Sequence, residues 1–400
     1  MTIPLIIYRS LRQHALSTLV TAASIALACG LLMTVWMVRA QAQRSFTETG
    51  TAFDAVLGAR GSKLQLVLNS IFFLEASPGN LEAADYAQIK KSPAVKAAIP
   101  IATGDNYKGW RIVGTIPELF TGIEYARGKH YALASGKLFN PGAREAVVGS
   151  FAAGQLGLVA GSTFHPYHGL EYDPAREHQE TYTVAGILAP TNTPADRVIW
   201  IPLEGAQKMT GHSKDAGDEL SAVLVQLRAP SAGFPLDQYY NKQTGRLTFA
   251  YPASAIIADF FNKMDWLGRV LALVAVIVAL VAAGSVLASV YASMSARQRD
   301  IAILRALGAK RRAIFSAVVL EATVIGALGA ICGFVVHGAL MAVVGGIIRA
   351  QTGVVIPVFA WDQVLLWAPL GMMALGALGG LAPAAKAYRV PVAQTLSPLS

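Results

Sequence analysis

The chain has 400 residues, 54% of them hydrophobic and only 14% charged, a balance too apolar for an ordinary soluble protein. Its formal net charge of +9 raises the question of a nucleic-acid partner. Residues 40–262 hold 19 Lys/Arg and 20 Asp/Glu, leaving 14 Lys/Arg against 4 Asp/Glu in the apolar remainder, so the basicity belongs to short segments beside hydrophobic runs and no nucleic-acid partner is expected.

Crossing about 30 Å of hydrocarbon takes roughly 20 helical residues. Four uncharged or nearly uncharged runs are long enough: Ala15 to Val38, Val270 to Met294, Ala313 to Ile348 with Glu321 and His337 inside it, and Val364 to Ala385. Arg9 and Arg12 precede the first run, six cations lie between the second and third, and Lys386 and Arg389 follow the fourth. Lys and Arg near helix ends resist translocation, so these segments and both termini are expected in the cytoplasm, and the long segment after the first run outside. Trp36, Trp266, Trp361 and Trp367 fall near the outer ends predicted this way, where an amphipathic ring is favoured. A cleaved signal peptide has an apolar stretch of about 7–15 residues, shorter than the first run, so a retained helix is expected. Both cysteines, Cys29 and Cys332, fall in predicted spans and leave the external region without a disulfide.

The expected fold class is therefore an α-helical membrane protein with four transmembrane helices and a large α+β extracytoplasmic domain inserted between helices 1 and 2. In chain order, residues 1–39 form the cytoplasmic N-terminus and first helix, 40–262 the periplasmic domain, and 263–296 the second helix. Residues 297–312 form a cytoplasmic coupling segment, 313–348 the third helix, 349–362 a short external loop, 363–386 the fourth helix and 387–400 a cytoplasmic tail.

Several stretches of the external segment have a readable pattern. Just past the first span, Leu64, Val67, Leu68, Ile71 and Phe72 follow helical spacing, with Arg60 and Lys63 at the entry. This suits a helix lying on the outer leaflet, where it could guard a lateral opening for an amphiphilic substrate, or a helix buried at the base of the domain, the favoured reading. Helical patterns at 80–92 and 149–158 alternate with strand-like stretches at 182–188, 197–203 and 221–227. In 145–164 a strand leads into a short helix that Gly157 can end in a left-handed cap, and Gly161 allows the turn into the next strand. Residues 164–180 hold His165, His168 and His178 with Glu171, Asp173 and Glu177 nearby. The three histidines could supply nitrogen ligands to zinc, with a carboxylate as the fourth, although a solvated hairpin tip is the favoured reading of such a loop.

Between the second and third spans lies RQRDIAILRALGAKRR, residues 297–312, in which seven of sixteen residues are charged. On a helix Ile303, Leu304 and Leu307 share a face flanked by Arg299 and Arg305, an apolar knob in a basic collar, and Gly308 can end the helix. The stretch resembles the signature of the FtsX-like permease family, which includes the MacB and LolC/LolE type ABC transporter subunits. Its members carry an Arg, an acidic residue and then an Ile-x-Ile-Leu-Arg-Ala-Leu-Gly-Ala run; Asp300 takes the acidic place and Ile301 to Ala309 follow. The basic entry to the first span, the 145–164 unit and PAAKAYRVPVAQTL (383–396) are also similar to family elements, although Val390 stands where an acidic residue is often found.

The resemblance implies that Arg299, Asp300, Ile303, Leu304, Arg305, Leu307 and Gly308 dock the permease into a separate ABC ATPase subunit, which binds ATP and Mg. The chain has no Gly-x-x-x-x-Gly-Lys-[Ser/Thr], so it is not expected to be an enzyme or to hold a cofactor of its own, and no ATPase is expected fused in front. Gly329 with Gly333 and Gly376 with Gly380 form small-xxx-small pairs whose packing partner the spacing does not name. Glu321 raises an ion pathway by default, but the family often places a glutamate there and a structural role is favoured. Membrane lipid, a second permease chain in a homo- or heterodimer and a periplasmic partner complete the expected company, in the inner membrane of a Gram-negative-like cell. The function implied is the membrane subunit of an ABC-type machine; a non-transporting signalling scaffold and a metal-linked export or sensing complex are the alternatives.

Overall fold

A computed structural model describes residues 3–49, 52–126, 128–209, 219–296, 298–353, 355–357 and 360–388. The chain divides into a helical unit, Met1–Gln41, Asp265–Gly346 and Pro357–Ser400, and an external unit, Ala42–Met264 and Ile347–Ile356. The last eight residues of the 383–396 motif lie outside the described part.

Among the described residues four helices are long and apolar enough to cross a membrane: Ala15–Gln41, Asp265–Ser295, Arg311–Thr352 and Val364–Lys386, the first to fourth long helices below. The third has 42 residues and, at about 1.5 Å per residue, spans about 60 Å, twice the hydrocarbon thickness. It outruns the expected 313–348 because nothing at either edge breaks it until Gly353, whose φ of 75° allows a left-handed cap and whose N–H donates to the Arg349 carbonyl at 2.9 Å. A separate amphipathic helix, Ile3–Gln13, precedes the first long one. Its Ile7 and Ser10 turn inward while Tyr8, Arg9 and Arg12 are exposed. Ser10 donates to the buried Glu321 carboxylate, which favours the structural role for that acid.

Small residues set the helix spacing. A Cβ placed on Gly329 would lie 2.6 Å from Ile25 Cβ, and one on Gly333 2.8 Å from Cys29 Cβ, so the third long helix meets the first along these glycines. A Cβ on Gly380 would lie 2.6 Å from Ala322 Cβ, so the fourth helix meets the third in the same way. Both small-xxx-small pairs are thus used within the chain. Thr34 Oγ1 and His337 Nδ1, buried and 3.0 Å apart, add a hydrogen bond between the first and third helices. Large apolar side chains such as Leu19, Leu27, Leu273 and Val335 point away, as do Trp36, Trp266, Trp361 and Trp367.

The external unit is built on one sheet, of eleven strands among the described residues. Its main path runs Leu247–Ala250, Ala55–Ala59, Ala222–Leu227, Val95–Tyr107, Trp110–Thr115, Ile199–Pro202, Glu145–Val148, Tyr182–Leu188 and Leu133–Gly136. Tyr167–His168 adds to Val95–Tyr107, and Thr163–Phe164 to Tyr182–Leu188. Pairing is mostly antiparallel. Glu145–Val148 and Tyr182–Leu188 run parallel, which needs a crossover, and the helix Ser150–Leu156 lies in it. Gly157 caps that helix at φ 66° and Gly161 turns the chain at φ 94° into Thr163–Phe164. These two positive φ values are what the glycines at those positions are for.

The apolar stretch after the first span belongs to the domain core. Gly58 and Ala59 close a strand, and Ser62 caps the helix Lys63–Ser70. Leu66, Val67 and Phe72 are buried together with Ile101, Val147 and Trp200. A helix spread on a leaflet would leave that face uncovered, so the favoured reading, a helix buried in the domain, stands and the leaflet alternative falls.

Candidate functional site

The coupling segment forms the helix Gln298–Ala306. It ends as the glycine dictates: Leu307 N–H donates to the Ile303 carbonyl at 3.0 Å, Gly308 N–H to the Arg305 carbonyl at 3.1 Å, and Gly308 has φ 97°. Ile301 and Ala302 are buried, and Ile301 packs in the core of the bundle with Met294 and Ile314. Ile303 and Leu307, four residues apart and on one face, are 43% and 80% exposed. The segment is therefore anchored by one face and presents the other. Arg299 is exposed and Arg305 half-buried. The side chains of Asp300 and Leu304 lie outside the described part.

Cation–aromatic contacts that the sequence reading missed brace the same end of the bundle. The Arg311 guanidinium lies 5.5 Å from the Tyr388 ring centre, and Lys386 Nζ lies 4.0 Å from that of Tyr291. These join the third long helix to the fourth and the fourth to the second. A reading of the cations as topogenic charge alone could not assign them rings.

The external unit holds a further set of contacts at the end of the third long helix. Arg349 stacks over Phe151 at 5.0 Å, and Arg197 lies 4.9 Å from the Trp110 ring centre and donates to the Gln351 carbonyl. Burial lowers the Arg197 pKa, with the Arg111 charge adding to the effect. Gly353 passes so close that a Cβ would lie 3.0 Å from both Arg197 Cγ and the Thr193 carbonyl oxygen.

Of the three candidate ligand histidines, the structure brings two together and leaves one apart. His168 Nδ1 lies 3.4 Å, and His178 Nε2 3.2 Å, from Asp105 Oδ1. His165 stands outside the group, and Asp105, which the sequence reading did not consider, completes it. His168 faces Asp105 directly in the antiparallel register of Tyr167–His168 with Val95–Tyr107. His178 is brought alongside by its own N–H, which donates to the Pro166 carbonyl at 2.8 Å. Tyr182 is held well above the usual tyrosine range, first by burial and then by the charges of Glu180 and, more weakly, Asp105. One signal in the sequence counted against His165: in extended backbone, side chains an odd number of residues apart point to opposite faces, and 165 and 168 are three apart.

Residues 15–233 match the family described as MacB-like periplasmic core domain, and residues 272–392 that described as FtsX-like permease C-terminal. Two solved structures are also similar. The extracellular domain of the noncanonic ABC-type transporter YknZ from Gram-positive bacteria is 15% identical, with a TM-score of 0.31 over 48% of this chain and 97% of that one. The periplasmic region of MacB from Actinobacillus actinomycetemcomitans is 12% identical, with a TM-score of 0.34 over 54% of this chain and 94% of that one. No curated protein matches.

Proposed function

The chain belongs to the family of FtsX-like permeases with a MacB-like periplasmic core domain, and from that premise we propose that it is the membrane subunit of an ABC-type machine driven by a separate ATPase. The observation that carries this reading is the helix Gln298–Ala306, fastened through Ile301 and Ala302 with Ile303 and Leu307 left open to a partner. Apolar side chains of this kind fill a groove, and arginines such as Arg299 pair with carboxylates at its rim. The ATP and Mg chemistry then belongs to the ATPase, and this chain hydrolyses nothing itself.

In this reading the four long helices span an inner membrane, both termini and the coupling helix face the cytoplasm, and the α/β domain stands in the periplasm. Closure of the ATPase moves the coupling helix, and the third long helix, continuous from Arg311 to Thr352, is the rod that carries the motion outward. Arg349 and Gln351, near the end of that rod, belong to the external unit and there contact Phe151 and Arg197. A second permease chain completes the assembly, as four helices alone make a thin bundle. Its interface lies away from Gly329, Gly333 and Gly380, which are occupied within the chain. The work is export or extraction of a substrate on the outer side.

The test is co-purification. The double variant Ile303→Asp, Leu307→Asp is expected to lose an ATP-hydrolysing subunit that the native chain retains, while its melting temperature in detergent is unchanged because both side chains are exposed. Undiminished recovery of the ATPase with this variant would overturn the docking assignment. Labelling of Arg305→Cys by an impermeant reagent applied from the periplasm would overturn the orientation.

A further inference from the structure

The ligand atoms of Asp105, His168 and His178 lie within 4.8 Å of one another, and we propose that this trio binds a divalent transition-metal ion of the zinc class, exchangeably and with one coordination position open. The proposal goes beyond the permease reading and does not depend on it.

The spacing suits an ion. His178 Nε2 is within hydrogen-bond distance of Asp105 Oδ1 at 3.2 Å, and His168 Nδ1 lies 3.4 Å from the same oxygen. Metal–nitrogen and metal–oxygen bonds of about 2.0–2.2 Å in a tetrahedron place ligand atoms about 3.3–3.5 Å apart. The two separations from Asp105 are close to that edge, and the two histidine nitrogens lie within 4.8 Å of each other. The ring centres of His168 and His178 are 5.6 Å apart with planes at 80°, so the rings converge edge-on rather than stack.

The donor set selects the class of ion. Two imidazoles and one carboxylate suit zinc and its neighbours, while calcium and magnesium take oxygen shells. Asp105 and His178 have side chains 4% exposed, and a buried carboxylate is stabilised by the positive charge a dication supplies. The His168 side chain is 48% exposed and marks the open side. Three protein ligands with an open fourth position characterise sites that exchange water for another donor, whereas purely structural zinc sites are closed by four.

The cradle is built from backbone that needs no ion to hold it. Asn106, fully buried, donates from Nδ2 to the carbonyls of Tyr167, Gly169 and Glu171 at 3.4, 3.0 and 3.0 Å. Gly169 N–H donates to the Gly104 carbonyl at 2.8 Å. These bonds fix the loop that carries His168 to the strand that carries Asp105, the kind of outer support that holds ligands in place. An ion here would clasp the 165–180 segment to the strand Val95–Tyr107 and would offer its fourth position to a donor from solution or from a periplasmic partner.

The experiment titrates Zn²⁺ alone into the full-length chain in detergent, purified without a histidine tag, in competition with a chromophoric chelator. Co²⁺ absorption reports the geometry. One ion per chain is expected, with intense tetrahedral Co²⁺ bands. His168→Ala, at a half-exposed position where folding is not at stake, should weaken binding by at least about tenfold, and Asp105→Asn should do the same if its ion-free melting temperature matches the native chain. His165→Ala should bind as the native chain does. Native binding no tighter than that of His168→Ala would overturn the site, and so would a loss in His165→Ala equal to that in His168→Ala, which would assign the ion to the loop histidines without Asp105.

Discussion

The helical unit and the external unit are both hydrophobic, yet they place their apolar side chains in opposite ways. In the helical unit glycines and alanines such as Gly329, Gly333, Ala282 and Ala322 lie at the helix contacts beside larger buried side chains such as Ile25 and Met33, while Leu19, Leu273 and Val335 are more than half exposed. The external unit does the reverse: Trp200, Phe72, Tyr182 and Phe249 are fully buried. The difference teaches which solvent each unit is built for. In water, burying a large side chain is the main driving force. Among lipid tails there is no such gain between helices, and close backbone approach through small residues takes its place.

That contrast can be broken by exchanging size at the two kinds of core. The largest effect is expected from Trp200→Ala, which removes a side chain at the centre of the external core and should destabilise that unit by about 3–5 kcal/mol. Limited proteolysis of the full chain should then cut within residues 42–264 while the long helices stay intact; cuts confined to the helices would sink the idea that the external unit depends on large buried residues. Next comes Gly333→Leu. A Cβ there already meets Cys29 at 2.8 Å, whereas a Cβ on Gly346 meets nothing within 4 Å. Overpacking of this kind carries about 1–3 kcal/mol, so Gly333→Leu should lower the melting temperature in detergent and Gly346→Leu should leave it in place. Equal tolerance of both would remove the small-residue account of the bundle.

The smallest effect sharpens the polar side of the comparison. Glu145 accepts from Asn140 N–H at 2.8 Å and pairs with Lys137 at 3.1 Å, and these contacts hold its carboxyl below the ordinary glutamate range. Because the folded pKa is depressed, the stabilisation is present above the ordinary glutamate range and is lost as pH falls through the folded value. Glu145→Gln should thus melt slightly earlier than the native chain at neutral pH and together with it in acid. A gap that persists in acid would trace the effect to packing.

The long helices were legible because the length of an uncharged run is a local property that no distant contact has to supply. The same holds for Gly157, Gly161 and Gly308, since a turn or cap with positive φ calls for glycine wherever it lies. The placement of Leu66 and Val67 was favoured but not decided by the sequence, because an eight-residue apolar helix has the same pattern on a membrane as under a sheet. Asp105 was not legible. It lies 63 residues before His168 in the chain, and only the pairing of Asp105 with His168 across two antiparallel strands makes them neighbours. The coupling helix stands between these cases, with its apolar face visible in the spacing and its anchor, Ile301 against Met294 and Ile314, visible only in the packing.

The order of residues along the chain thus determined where the helices run, where the basic segment interrupts them and where glycine lets the backbone turn, for all of these depend on neighbours within a few residues. Tertiary structure alone decided that Glu321 meets Ser10, that the glycine stripes close on the chain's own helices, and that Asp105 rather than His165 joins His168 and His178. The reason is that strand register and helix contact are set by the sum of many weak burial and hydrogen-bonding terms across the whole fold, and no single stretch contains that sum.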